Sequence, residues 1–393
     1  MRILFNIIFS AILIIGLVGF WALFLNLWKP KKKWPAWVGY LIIIGAWFAA
    51  IRYYILNQVD LYGTMYYPLM NLFRTESYGF LFGLFLAIPI FIVLGLLYWA
   101  VNKIWSKTPE ENRTGRRAFF RTAATVVPLA TIGSSSYAAY VGQHEIEVTH
   151  ESFGYTNLPP GLKDYKIVQL SDIHVGPSID LDDLDEILKL ALVEKPNRVV
   201  ITGDLIDKIA WLPQVCERLT TFAKQIPDGV DFILGNHEYH HDVNKVLDEL
   251  KHNTPMNILV NSNIQIMGGK QPVYIAGVAY DNDREKEKRE AMIDKALSGI
   301  PDYAFVILLA HHPEFFEEAI ERKIPLTLSG HTHGGQIVFM GMPLVPTGTP
   351  YTKGRYVEEQ SVCYVNNGSG HWFPIRINCP REITVITFFD GVA

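Results

Sequence analysis

Apolar and polar positions divide the chain into two differently built halves. Three stretches carry no charge over the length of a bilayer: Ile3 to Trp28, Trp34 to Ile51 and Ser77 to Asn102. Roughly 20 apolar residues span the hydrocarbon as a helix. A fourth stretch, Thr122 to Gln143, is uncharged but weaker, being interrupted by Pro128 and the run Ser134-Ser135-Ser136. It reads as a further span, with a surface helix or a signal-like segment as the alternative. Trp28, Trp34, Trp37, Tyr53, Tyr54, Trp99 and Trp105 cluster at the segment ends, where amphipathic rings favour the headgroup region. Residues 1–143 are therefore expected to form an α-helical transmembrane region of about four helices.

From Tyr165 the pattern changes to short apolar runs, each followed by a polar, Gly-containing cluster and then a helical period. That alternation predicts an α/β domain. Lys166 to Leu170 leads into Ser171-Asp172-Ile173-His174, and Leu181 to Val193 then has helical spacing. Arg198 to Thr202 leads into Gly203-Asp204, Asp231 to Leu234 into Gly235-Asn236-His237-Glu238, and Phe305 to Leu309 into Ala310-His311-His312-Pro313. Leu326 to Leu328 leads into Ser329-Gly330-His331-Thr332-His333-Gly334-Gly335-Gln336. Ligands of open α/β sheets bind beyond the carboxyl ends of the strands, so these clusters are expected to converge. Val362 to Asn366, Ile383 to Phe388 and Gln336 to Phe339 suggest a second sheet packed on the first. The expected soluble domain runs over residues 144–393.

Charge sharpens the division. Up to His150 there are 13 Lys and Arg against 6 Asp and Glu, and 22 against 33 beyond it. An acidic C-terminal half lacks the clustered cations that neutralise phosphate backbones, so nucleic acid is not expected as a partner. The apolar fraction of 49% and mean hydropathy of +0.15 are high, and the excess lies in the first 142 residues. Cytoplasmic loops hold the surplus of Lys and Arg. Lys29, Lys31, Lys32 and Lys33 fill the first connection, and Lys103, Lys107, Arg113, Arg116, Arg117 and Arg121 the third. With the fourth stretch as a span, the chain becomes a multi-pass inner-membrane protein whose C-terminal domain lies on the outer face. Arg116-Arg117-Ala118-Phe119-Phe120-Arg121 reads equally as a twin-arginine export signal or as a basic stop before a helix. With no A-x-A cleavage pattern after it, the domain is expected to stay tethered. Cys216, Cys363 and Cys379 are too few for a disulfide framework, although Cys363 and Cys379 could pair in an exported domain.

All 12 histidines lie at or beyond His144. A lone histidine is usually a satisfied core or surface residue, but histidines at several strand ends beside two Asp and one Asn are another matter. His331 and His333 stand two apart on a Gly-flanked turn, and Asp172 and His174 share that spacing. Imidazole and carboxylate without a nearby thiolate suit borderline divalent ions. His240 and His241 read as solvated residues opening the next helix, and Asp283 to Glu290 as a solvated helix face.

Asp172-x-His174, Gly203-Asp204, Gly235-Asn236-His237-Glu238, His311 and Gly330-His331-x-His333 resemble, in order, the motif set of the calcineurin-like metallophosphoesterases. The resemblance covers about Tyr165 to Phe389 and implies a sandwich of two sheets flanked by helices. The ending His333-Gly334-Gly335-Gln336 and the membrane half are similar to a bacterial subgroup of YkuE-type and UDP-diacylglucosamine-hydrolase-like enzymes. The resemblance implies two divalent ions, manganese foremost with iron or zinc also admitted. It assigns Asp172, His174 and His333 to one ion and Asn236, His311 and His331 to the other, with Asp204 bridging. A metal-bridging hydroxide would then attack phosphorus. His237 becomes the general acid or a hydrogen-bond donor to the phosphoryl group, Asn236 and His237 contact substrate, and Glu238 is expected to orient His237. His312 is expected to lie behind a ligand or in solvent.

The expected function is thus a membrane-anchored, metal-dependent phosphoesterase working against a lipid bilayer on a lipid-linked or envelope-derived phosphoester. Two other readings compete: a UDP-2,3-diacylglucosamine pyrophosphatase, which needs a cytoplasmic domain, and a non-catalytic metal-binding sensor, which the complete ligand set disfavours.

Overall fold

The computed structural model describes residues 62–104, 110–280, 285–344, 346–371, 373 and 375–391. The first two uncharged stretches, with their flanking lysines and Trp28, Trp34, Trp37, Tyr53 and Tyr54, lie outside the described residues. The chain divides into two compact units, residues 1–141 and 142–393.

In the first unit, helix α1 (Tyr67–Ile104) contains the third uncharged stretch. Its residues Tyr78–Ile104 are, among the described residues, the one helix long and apolar enough to cross a membrane. Helix α2 (Glu110–His144) follows. The basic residues Arg113 to Arg121, expected in a loop, instead lie within the first turns of α2. The two helices approach closely at small residues. A Cβ on Gly79 would lie 2.6 Å from Ser136 Cα, and one on Gly83 would crowd the Ile132 backbone. Such small-residue contacts are a means of packing helices where no hydrophobic drive separates protein from solvent. Ile92, Val93, Leu96, Leu97 and Trp99 point outward.

The second unit is the α/β half. Its elements are β1 (Ile146–Tyr155), β2 (Ile167–Leu170), α3 (Leu181–Val193), β3 (Arg198–Ile201), α4 (Leu212–Ala223), β4 (Val230–Phe232), α5 (Asn236–His240) and α6 (Val243–Asn253). Next come β5 (Asn257–Ile258), β6 (Ser262–Met267), β7 (Val273–Gly277), α7 (Lys286–Leu297), β8 (Phe305–Leu309), α8 (Phe315–Glu321) and β9 (Leu326–Ser329). The chain closes with β10 (Val338–Phe339), β11 (Met342–Pro343), β12 (Gly354–Glu358), β13 (Ser361–Val365) and β14 (Arg381–Asp390). One six-stranded sheet has the order β1-β14-β2-β3-β4-β5, the other β12-β13-β9-β8-β7-β6.

Both sheets are parallel at the centre, and their middle strands are buried on both faces, hence the continuous apolar runs of β2, β3 and β8. Ile167, Val200, Ile307, Leu328 and Ile386 meet in the core between the sheets. The outer face of the second sheet is covered by Ile293 of α7 and by Phe315 and Phe316 of α8. α3 begins with a capping box, in which Asp180 accepts from the backbone of Asp182 and Asp183.

The late strands depart from the expected second sheet. Only β13 joins it, parallel to β9, whereas β14 enters the first sheet between β1 and β2. Gln336 to Phe339 contributes to a separate two-stranded hairpin, β10–β11. Cys363 and Cys379 are both buried and free. Cys363 packs in the second sheet's outer core, and Cys379 Sγ lies against the carbonyl of His333.

Candidate metal centre

Five strand ends build the site. β2, β3 and β4 come from the first sheet and β8 and β9 from the second, so the ligand clusters meet along one edge of the sandwich. The turns are tight: Asp172, His174, Asp204, His331 and His333 all take φ between 50° and 70°. A non-glycine residue held there costs of order 1–3 kcal/mol, and strain of that kind gathers where side chains must be aimed. Cross-strand bonds hold these turns, with Asp172 N donating to Gly203 O at 3.0 Å and His174 N to Asp204 O at 2.9 Å. Glycine is required where turns touch. A Cβ on Gly330 would collide with Ser171 Oγ and the Asp172 carboxylate, and one on Gly235 with the Asp204 carboxylate.

Every sequence-predicted ligand is brought into this site. His174 Nε2 and His333 Nε2 face each other at 3.1 Å, and Asp172 Oδ1 lies 3.4 Å from His333 Nε2. Beside them, Asn236 Oδ1 lies 3.1 Å from His311 Nε2 and 2.9 Å from His331 Nδ1. Asp204 belongs to both groups, because its Oδ2 is 3.6 Å from His174 Nε2 and 3.3 Å from His311 Nε2. The ligand atoms of Asp172, His174 and His333, and those of Asp204, His311 and His331, lie within 4.8 Å of one another.

These donors fit divalent cations. One ring nitrogen of each imidazole is turned into the cluster, while the other nitrogen of His174 and of His311 bonds Asp207 and the Thr202 carbonyl. Both carboxylates are buried, and the donor set is all nitrogen and oxygen. Burial opposes charging His174, but Asp207, Asp204 and Asp172 outweigh it and raise its pKa to about 9. His311 is likewise raised to about 10, with burial opposed chiefly by Asp204. His333 is held well below the usual imidazole range by burial and by the nearby His174 and Arg376.

His237 stands beside these groups. Its Nδ1 donates to Asp207 Oδ1 at 2.5 Å, which turns Nε2 toward the cluster, 4.0 Å from Asp204 Oδ2. The same Asp207 oxygen accepts from His174 Nδ1 at 3.1 Å. Burial favours the neutral acid, but His174 and His237 hold the Asp207 carboxyl well below the usual range. Asp207 therefore fixes the tautomer of both imidazoles, as an outer carboxylate does behind a metal-bound histidine. The sequence signal that could have found it is the spacing Gly203-Asp204-x-x-Asp207, two carboxylates leaving one strand end.

Three neighbours differ from expectation. Glu238 does not orient His237. Fully buried, it accepts from the N–H of Gly235 at 2.7 Å, Leu205 at 2.8 Å and Asp204 at 3.0 Å, and so braces the Asp204 turn. His240 is exposed, as expected, but closes α5 instead of opening the next helix, and its ring meets that of His237 at 4.8 Å. Arg289 of α7 is mostly buried by carboxylates of α8, chiefly Glu318, rather than solvated; Asp283 and Arg284 lie outside the described residues. His312 is buried against the ring of His331, at 4.4 Å between centroids.

Comparison with known proteins agrees with this geometry. A family model described as calcineurin-like phosphoesterase matches residues 165–335. An uncharacterized metallophosphoesterase of Campylobacter jejuni is 36% identical over 237 residues, covering 58% of this chain and 60% of that protein. The uncharacterized metallophosphoesterase YkuE of Bacillus subtilis is 31% identical over 295 residues, which are 70% of this chain and 98% of YkuE. A transmembrane protein with metallophosphoesterase domain from Danio rerio is 32% identical over 242 residues, 58% of this chain and 54% of that one. The chain thus spans less than two thirds of the Campylobacter and Danio relatives. Ordered ligand motifs, a two-sheet sandwich and near-complete coverage of YkuE together place the chain in the calcineurin-like phosphoesterases, a family of metal-dependent phosphoric ester hydrolases.

Proposed function

We propose that the chain is a membrane-anchored phosphoesterase that holds two divalent ions, manganese foremost, through Asp172, His174 and His333 on one side and Asn236, His311 and His331 on the other. Asp204 serves both. The observation that carries this reading is the shared carboxylate: one oxygen of Asp204 lies within 3.6 Å of histidines from both groups. When bound, such ions supply positive charge for the phosphoryl oxygens and acidify a bound water.

The chain's own groups do the rest. Asp207 accepts the Nδ1 proton of His237, so that in the imidazolium form the second proton, on Nε2, faces the cluster and can pass to the departing oxygen or be donated to the phosphoryl group. The side chain of Asn236 reaches substrate from between His311 and His331. Glu238 keeps the Asp204 turn in register through three short backbone hydrogen bonds.

Anchoring is supported by the apolar helix Tyr78–Ile104 and by relatives named as transmembrane proteins. The Lys and Arg bias of the first 121 residues supports a domain on the outer face, where a lipid-linked or envelope phosphoester is the available substrate class. The test is a screen of the detergent-purified, manganese-loaded chain against monoester, diester, nucleotide-sugar and phospholipid substrates. Hydrolysis of one class supports the reading. No turnover of any class by a chain that retains its metals would refute it in favour of a sensor. Selective cleavage of the nucleotide-sugar lipid would shift the assignment to the pyrophosphatase and the domain to the cytoplasm.

A further inference from the structure

The β10–β11 hairpin begins three residues beyond Gly335, at the end of the turn that carries His333. Between Lys323 and Lys353 the chain has no Lys, Arg, Asp or Glu. Within this interval Phe339, Met340, Met342 and Leu344 are 59%, 83%, 66% and 61% exposed. Soluble surfaces rarely gather four large apolar side chains without a use for them.

The turn itself is informative. Phe339 pairs with Met342, so Met340 and Gly341 form a two-residue loop, and both have positive φ, 51° and 81°. Such turns favour Asn-Gly or Asp-Gly. A methionine at the first position works against the local backbone, and what it adds is an unbranched apolar side chain at the tip. Strained residues of this kind persist at functional positions.

The base of the hairpin is rigid. Val338 N donates to Ile377 O at 2.9 Å, Leu344 N to Ile337 O at 2.8 Å, and Asn378 Nδ2 to Val338 O at 3.0 Å. Gly335 packs so closely on Pro343 that a Cβ there would overlap it. Whatever holds the tip also fixes its distance from His333.

We propose that this hairpin inserts Phe339, Met340, Met342 and Leu344 into the headgroup–acyl boundary of a bilayer, so that the metal centre works on phosphoesters presented at the membrane surface. The inference rests on the membrane-anchored reading above and extends it to the substrate's physical state. A lipid surface suits the tip better than a protein. The exposed apolar area is on the order of 500 Å², below the roughly 800 Å² that each side of a standard protein interface contributes. The hairpin's own sequence brings no charge to the tip for a partner to read, whereas small apolar wedges on an otherwise tethered protein are sufficient for interfacial contact.

The test uses the full chain carrying Met340→Cys, labelled with an environment-sensitive fluorophore and reconstituted in nanodiscs of phosphatidylcholine and phosphatidylglycerol. The three native cysteines are buried, and the unsubstituted chain sets the labelling background. Glu359→Cys, on an exposed turn, is the control. The label at position 340 is expected to shift to the blue and to lose fluorescence to acyl-chain nitroxide lipids but not to iodide, with the opposite behaviour at 359. Equal iodide quenching at both positions, in chains that co-float with lipid, overturns the hairpin proposal alone. Shielding from both quenchers indicates a second copy over the tip and overturns it as well. A chain that fails to co-float with lipid overturns the anchoring reading, and this inference with it.

Discussion

Asp207→Asn separates positioning from ligation. The substitution keeps the shape but removes the charge that accepts from His174 Nδ1 at 3.1 Å and His237 Nδ1 at 2.5 Å. An amide oxygen in the place of Oδ1 can still face both imidazoles, but without the carboxylate's charge it accepts from each only weakly. A hydrogen bond to a charged group contributes about 1.5–3 kcal/mol. Loss of the His237 bond from the transition state therefore lowers kcat by about 10- to 150-fold. The His174 bond lies behind a ligand, and losing such a support weakens metal affinity by about 10- to 100-fold, which excess manganese overcomes. Steady-state kinetics at saturating metal, beside metal analysis, read the two effects apart. The reasoning also requires the loss to be greater for an alkyl leaving group, which needs a proton, than for a nitrophenolate, which does not. An unchanged kcat at saturating metal, or a loss independent of leaving group, refutes it.

His237→Ala should retain its metals and lose rate by roughly 10²- to 10⁴-fold; loss of metal in that variant would make His237 a ligand. Glu238→Gln should unfold at lower denaturant, because its amide group faces two buried N–H donors that then go unpaired, at about 1–3 kcal/mol each; a change below about 0.5 kcal/mol, the size of an ordinary surface substitution, contradicts the bracing role. Metal binding at pH 7 should release protons, since His174 and His311, raised to about 9 and about 10, are charged in the metal-free chain. Their imidazolium forms stabilise that metal-free fold fully below the ordinary histidine range, and this contribution is lost as pH rises through 9 to 10. Metal affinity accordingly increases with pH over that window. Calorimetric titration in two buffers of different ionisation heat checks the release, and equal heats would exclude it.

The convergence of the proposed ligand residues was legible because each ends a short apolar run, where a parallel strand delivers its polar turn to a common edge. Other features depend on contacts that no local pattern carries. β1 reads Ile-Glu-Val-Thr-His-Glu-Ser, a half-exposed strand whose one strand neighbour among the described residues is β14, more than 200 residues away. β13 and β14 have equally apolar sequences yet enter different sheets, since β13 pairs with β9 and β14 with β2. Asp207 and Glu238 look interchangeable as carboxylates near His237. Only the fold turns one toward the imidazole and the other under the Asp204 turn.

The central claim is that one carboxylate joins two metal positions. Metal analysis of purified Asp204→Asn beside the unsubstituted chain, with phosphoesterase rates on the same samples, tests it most directly. The unsubstituted chain should carry two ions, and the variant should carry fewer and lose turnover, because the bridge keeps its shape without its charge. Two ions and full activity in Asp204→Asn would contradict the account.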